Sequence, residues 1–253
     1  MDLTRSQLYG SSKNTTKVIP VNGKDRSIII DTKRTLLCII DMQNFFLHPA
    51  RQPSPVGRDV VPATIKMINA FRKNSITVAW VNWGLDEIDL LTMPSAFLRG
   101  FGSTPDTTFG SDMGIINGTE WGRLLMRHQF NSQPWGPLYA LQVEGVEQGT
   151  DLYFNKNRLS GLSGGLLKPM TPLRLYIQEN DITTVFFGGV NTDQCVFGAM
   201  IDAYFLATQG LDVIMVDDIS ATTSPNYATE MVVFNIGGDG WTANSTAIMS
   251  ALG

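Results

Sequence analysis

Apolar runs alternate with segments of helical period along most of this chain, and that alternation leaves few folds open. Thr35-Leu36-Leu37-Cys38-Ile39-Ile40 is a continuous apolar run, the mark of a strand covered on both faces. Ile76 to Val81, Val185 to Phe187 and Leu211 to Val216 read the same way, and Asp151 to Lys156 reads as a short strand. Between them, Val60, Val61, Ile65, Ile68 and Phe71 recur near helical spacing. Thr171-Pro172 opens a helix to Glu179, with Thr171 as cap and Pro172 at the first position. Val196 to Thr208 and Asn226 to Ile236 are the next helices, and Gly237-Gly238-Asp239-Gly240 breaks the last before a weak C-terminal segment. Strands joined through helices imply an α/β fold: a mostly parallel central sheet with helices on both faces, three layers in all.

The flanking segments are less regular. Residues 1–16 are polar and read as an arm. Lys17 to Val21 and Arg26 to Ile30 flank Asn22-Gly23, a tight-turn signal for a small N-terminal hairpin. Residues 84–142 scatter Gly, Pro and aromatics, with short helical signals at Met93–Leu98 and Trp121–Arg127. So long an irregular insertion is a lid, a pocket wall or an interface. Its aromatics Phe97, Phe101, Phe109, Trp121, Phe130 and Trp135 also fit a local mini-core. The expectation is one domain over 1–253, with 1–34 as arm and hairpin and 84–142 as insertion.

Bulk properties exclude several functions. A formal charge of −4 gives no basic field for nucleic acid or anionic membrane. No apolar run reaches about 18 residues, so no membrane span is expected. Met1 to Lys17 lack an apolar core, so no secretory signal is expected. Cys38 and Cys195 are the only cysteines and form no CxxC, which rules out Cys-built metal clusters but leaves one disulfide between them open. A cytoplasmic protein is expected. His48 and His128 are the only histidines and read as solvated loop residues.

The most informative stretch is Phe186-Phe187-Gly188-Gly189-Val190-Asn191-Thr192-Asp193-Gln194-Cys195-Val196. The two glycines let the backbone turn after a strand, and Thr192 and Asp193 are helix-capping types. Cys195 then falls in the first turn of a helix, where unpaired N–H groups and the helix dipole favour thiolate. A buried structural cysteine is the competing reading. Asp41, directly after the first core strand, is either a site acid or a loop and cap residue. In a parallel sheet the ends of all strands share one edge, so Asp41, Lys156 and Cys195 can meet there. An acid can take a thiol's proton, and an ammonium can hold the acid ionised and stabilise developing negative charge.

Three segments in this order resemble the isochorismatase-like cysteine hydrolases, which include nicotinamidases, N-carbamoylsarcosine amidases and ureide or biuret hydrolases. They are Leu36 to Phe46, reading LLCIIDMQNFF; Lys156 to Gly161, reading KNRLSG; and Gly189 to Val196, reading GVNTDQCV. Val216 to Thr223, reading VDDISATT, is also typical, and the match spans about residues 35–236. The resemblance implies Asp41 as base, Lys156 as electrostatic partner and Cys195 as nucleophile. It implies a cis peptide at Val190–Asn191, with the N–H groups of Asn191 and Cys195 facing the substrate oxyanion. Phe46 takes the family's pocket-aromatic position, Trp83 is a second wall, and Gln43 and the Asn191 side chain are further substrate contacts. Nicotinamidases place an Asp/His metal cluster after the second strand. Here that region reads Asn82-Trp83-Gly84-Leu85-Asp86-Glu87, so neither metal nor cofactor is expected. Relatives assemble as homodimers or homotetramers, and the same is expected here.

The resulting expectation is a metal-free hydrolase of a small amide, imide or ureide. The alternatives are a vinyl-ether hydrolase that releases pyruvate and a non-catalytic member that binds a ligand or partner.

Overall fold

The computed structural model of the protein describes residues 15–22, 27–102, 104, 106–165, 167, 169–206 and 211–253. Two antiparallel strands, β1 (Thr16–Pro20) and β2 (Ser27–Asp31), form the N-terminal hairpin. A two-residue turn at Asn22-Gly23 would pair Ile19 with Arg26; the ladder pairs Ile19 with Ile28. Asn22 bonds instead to the Thr242 carbonyl at 2.7 Å. Gly23, Arg26 and most of the expected arm lie outside the described residues.

Six strands build the central sheet: β3 (Thr35–Ile40), β4 (Thr77–Trp83), β5 (Asp151–Lys156), β6 (Thr184–Val190), β7 (Asp212–Ala221) and β8 (Trp241–Ala243). Their order is β8-β7-β6-β3-β4-β5, and every pairing is parallel. Side chains of a strand alternate between faces, and β3 shows why its apolar run is unbroken. Leu36, Cys38 and Ile40 join one core, and Leu37 and Ile39 join another.

The main helices cover these two cores. In chain order they are α1 (Val61–Lys73), α2 (Glu87–Thr92), α3 (Ser95–Phe101), α4 (Pro137–Glu147), α5 (Pro172–Glu179), α6 (Phe197–Leu206), α7 (Asn226–Asp239) and α8 (Ser245–Leu252). Leu173 of α5, Met200 of α6 and Ile236 of α7 pack on the first face. Phe71 of α1, Leu138 of α4 and Ile248 of α8 pack on the second. The three-layer α/β/α architecture is therefore complete. Among the described residues no helix is long and apolar enough to cross a membrane.

Several local expectations are corrected. Gly188 and Gly189 do not turn the chain; they lie inside β6. A Cβ on Gly189, at φ +124°, would sit 2.0 Å from the Ile40 carbonyl oxygen, and one on Gly188 2.4 Å from Ile219 Cδ1. The glycines permit close approach between strands, where the β6–β7 register also shifts. Gly237 and Gly238 do not end α7, which stops at Gly240. Trp121–Arg127 is not helical, because Gly122 and Leu125 take left-handed backbone angles of 69° and 55°. The helix expected from Met93 begins at Ser95, after Pro94. The weak C-terminal segment is β8 followed by α8, and α4 starts inside the stretch read as insertion. Thr208 lies outside the described residues.

Candidate active site

Each of the three expected reactive residues stands where a strand ends. Asp41 directly follows β3, with φ 53°, and its own N–H donates to the Val81 carbonyl at 3.1 Å. Lys156 is the last residue of β5. Cys195 lies in a single π-turn, Thr192–Val196, between β6 and α6. Its first-turn position is as expected, but the cap is not: Asn191 precedes the turn and makes no side-chain cap bond. Asp193 instead accepts from the Thr222 hydroxyl at 2.6 Å. The Val190–Asn191 peptide is cis.

The three side chains converge and are all buried, with Asp41 at 0%, Lys156 at 3% and Cys195 at 3% exposure. The Lys156 Nζ is 2.8 Å from Asp41 Oδ2 and donates to the Leu159 carbonyl at 2.7 Å. The Trp83 N–H donates to Asp41 Oδ1 at 3.2 Å. Burial pushes the Asp41 carboxyl above its ordinary range, and the Lys156 charge and the Trp83 N–H oppose the rise. Burial likewise pushes the Cys195 thiol up to about 12; Lys156 opposes this and Asp41 adds to it. The turn's N–H groups therefore do not make a resting thiolate, as the sequence alone suggested. Desolvation wins, and the resting group is a thiol beside an ion pair. Cys38 and Cys195 are both free.

The surroundings sort the remaining candidates. The Trp83 ring lies 4.3 Å from Lys156 Nζ, and Phe97, Phe101 and Phe109 gather around it at 6.1, 5.1 and 4.9 Å between centroids. These three insertion aromatics thus hold the Trp83 ring against the ammonium, a role that scattered phenylalanines in the sequence did not reveal. Phe46 is half-buried and meets Phe45 edge-on at 4.9 Å. The Asn191 side chain is half-buried and reaches toward Gln194 Oε1 at 3.4 Å.

Gln43 is corrected. It is fully buried, and its amide donates to the carbonyls of Trp83 (2.8 Å) and Ser132 (2.7 Å) while accepting from the Trp83 N–H at 3.0 Å. Both donor hydrogens are spent on backbone, so Gln43 positions Trp83 rather than facing a substrate. His48 is also corrected: it packs against Trp121 and Phe130 at 5.2 and 5.9 Å. His128 is exposed, as expected.

The acids after β4 do not fit a metal centre. Asp86 and Asp89 reciprocally cap α2. Arg127 lies 3.4 Å from Asp86 Oδ2 and 3.8 Å from Asp89 Oδ2, and Asn157 Nδ2 donates to Asp89 Oδ1 at 2.7 Å. Their oxygens are committed to a cation, an amide and backbone. Asp89 thereby ties α2 to the residue following Lys156. The D-x-x-D spacing was the only sequence signal for this link.

The fold has known counterparts. A family model described as the isochorismatase domain matches residues 35–236. The cysteine hydrolase from Pseudomonas syringae pv. phaseolicola superposes with a TM-score of 0.64 at 17% identity, over 88% of this chain and 94% of that one. A nicotinamidase/pyrazinamidase from Bacillus subtilis gives 0.61 at 20% identity, over 83% and 100%. N-carbamoylsarcosine amidase from Thermoplasma acidophilum gives 0.57 at 20%, over 84% and 96%. At these identities the solved structures speak to the fold, while the domain model covers most of the chain: this protein belongs to the isochorismatase family of hydrolases.

Proposed function

We propose that this chain is a cysteine hydrolase that acts on a small amide, imide or ureide without a metal. The observation that supports it most is the buried Asp41–Lys156 ion pair set against the Cys195 thiol. In this reading Asp41 takes the thiol proton as Sγ attacks the substrate carbonyl carbon. The backbone N–H groups of Asn191 and Cys195 receive the oxyanion. Collapse expels the amine, which leaves with the proton held by Asp41. The thioester is then cleaved by water, with Asp41 again as base, and the thiol is restored. The Lys156 ammonium keeps Asp41 ionised in a site that would otherwise neutralise it. The raised affinity of the Asp41 carboxylate for a proton suits a base that must draw one from a reluctant thiol. Phe46, Trp83 and the Asn191 side chain are read as substrate contacts.

The wider setting is part of the same reading. The chain works as one domain, assembles as a homodimer or homotetramer, and resides in the cytoplasm, where free thiols persist. Wild type and Cys195→Ala are incubated with small amides, imides, ureides and isochorismate while ammonia and pyruvate are followed separately. Ammonia that depends on Cys195 is the expected result. Pyruvate that survives Cys195→Ala would overturn it in favour of vinyl-ether hydrolysis centred on Asp41.

A further inference from the structure

A cavity of about 330 Å³ opens beside the carboxyl end of β5, and none of the residues assigned to the reaction lines it. Tyr153 and Asn155 on its wall alternate along β5 with Phe154 and Lys156, so the two pairs face opposite sides of the sheet. Phe154 packs with the core that holds Cys195, and Tyr153 packs with the other core. The cavity therefore lies across the sheet from the thiol. Its size falls within the roughly 300–1,000 Å³ of small-molecule sites.

The walls are polar, and much of that polarity is unspent. Gln142 of α4 lines the cavity at only 8% exposure. Among the described residues its carboxamide bonds to no protein group, and the same holds for the carboxamides of Gln133 and Asn155 on the same wall. Burying an amide without a partner is costly, so unpaired amides on a cavity wall mark a place for a partner from outside. The charge on the wall, by contrast, is already answered. Arg127 donates to the Gly84 carbonyl at 2.8 Å and lies 3.4 and 3.8 Å from Asp86 and Asp89. Neither an anion nor a cation gains a free counter-charge there. Tyr139 and Tyr153 add two aromatic rings.

We infer that this cavity binds a small, uncharged, planar heterocycle whose edge sets a hydrogen-bond donor beside an acceptor, as a free nucleobase does. A carboxamide carries a donor and an acceptor side by side and meets such an edge with two bonds. Aromatic side chains take the flat faces of the same molecules. A sugar has the hydroxyls without the flat face, and a phosphorylated nucleotide brings charge that the wall does not answer.

Isothermal titration of the full chain with adenine, uracil and glucose tests it, in wild type, Cys195→Ala, Gln142→Met and Gln133→Met, with circular dichroism confirming each fold. Methionine keeps the length of glutamine and removes its hydrogen bonds. Wild type is expected to bind at least one of the bases, one per chain, with a Kd at or below about 1 mM, and not glucose. Cys195→Ala should bind equally well. Gln142→Met and Gln133→Met should each weaken binding by about 5-fold or more, the loss of a two-bond carboxamide contact. No saturable base binding up to about 5 mM would overturn the site, and glucose bound in place of the bases would overturn the ligand class. Base binding that both glutamine variants leave within about 2-fold of wild type, or that Cys195→Ala abolishes, would overturn the location. None of these outcomes bears on hydrolysis, which is read separately as ammonia release.

Discussion

Replacing Lys156 with methionine keeps most of the side chain's volume and removes its charge. The ammonium lies 2.8 Å from Asp41 Oδ2, with both groups buried. At an effective dielectric constant of 20, that separation corresponds to about 6 kcal/mol of attraction. Breaking a buried pair by deleting one partner costs about 3–5 kcal/mol in practice, a factor of about 10²–10⁴ in an equilibrium constant. Burial already drives this carboxyl up, with Lys156 the main force against it. Without Lys156, Asp41 takes a proton and ceases to be a base, and the Cys195 thiol loses the one charge that eases its ionisation. Alkylation of Cys195 by iodoacetamide, followed by intact mass at pH 7, should slow by about 10²–10⁴-fold. Cys38 is the internal reference, because it is buried and burial raises its thiol as well. Lys156→Arg, which keeps a cation, should recover part of the rate. Alkylation of folded Lys156→Met within about 3-fold of wild type, far inside that shift, would refute the electrostatic role.

Three further outcomes are expected. Asp151→Ala should destabilise by about 3–5 kcal/mol in denaturant unfolding, because Asp151 holds Arg72 at 2.8 and 2.6 Å and accepts from the Trp80 indole at 2.7 Å; a loss under about 1 kcal/mol would contradict the reading. Gly189→Ala should damage folding and thiol reactivity more than Gly188→Ala, since its Cβ meets backbone at a left-handed φ while the other chiefly meets the Ile219 side chain at an ordinary φ; the reverse order, read from thermal midpoints, would contradict it. Asp217 is raised from 3.8 to about 6, chiefly by partial desolvation of its carboxyl, although the residue as a whole is exposed. The folded state then binds its proton more tightly than the unfolded chain does, so its contribution is fully present below about pH 4 and is lost as pH rises through about 6. Asp217→Asn should flatten stability against pH in that window, by under about 1 kcal/mol because the residue is exposed; an unchanged slope would contradict the assignment.

Much of the site could be read in the chain because chemistry and topology coincide there. The run ending at Ile40 must be a strand covered on both faces, so the acid after it falls on the sheet edge, as do Lys156 and Cys195. What escaped depends on contacts distant in sequence. Gly188 and Gly189 look like a turn, yet they lie within the strand ladder, and glycine is needed there because a Cβ would collide with Ile219 or Ile40. Gln43 looks like a pocket residue, yet the ends of β4 and the Ser132 loop consume its amide. β8 is three residues long, too short to carry a period. The thiol's state is hard to read from the chain because helix position is local, whereas desolvation is set by the whole core.

In the proposed reaction Cys195 carries the acyl group. Once the substrate panel yields an amide that releases ammonia, the enzyme is mixed with that amide, quenched in acid within milliseconds and weighed intact, and the adduct is mapped by peptide digestion. The expected result is a mass increase equal to the acyl group, located on Cys195, absent from Cys195→Ala and slow to appear in Lys156→Met. Turnover with unmodified Cys195 at every quench time, and with Cys195→Ala retaining the wild-type rate, would contradict it.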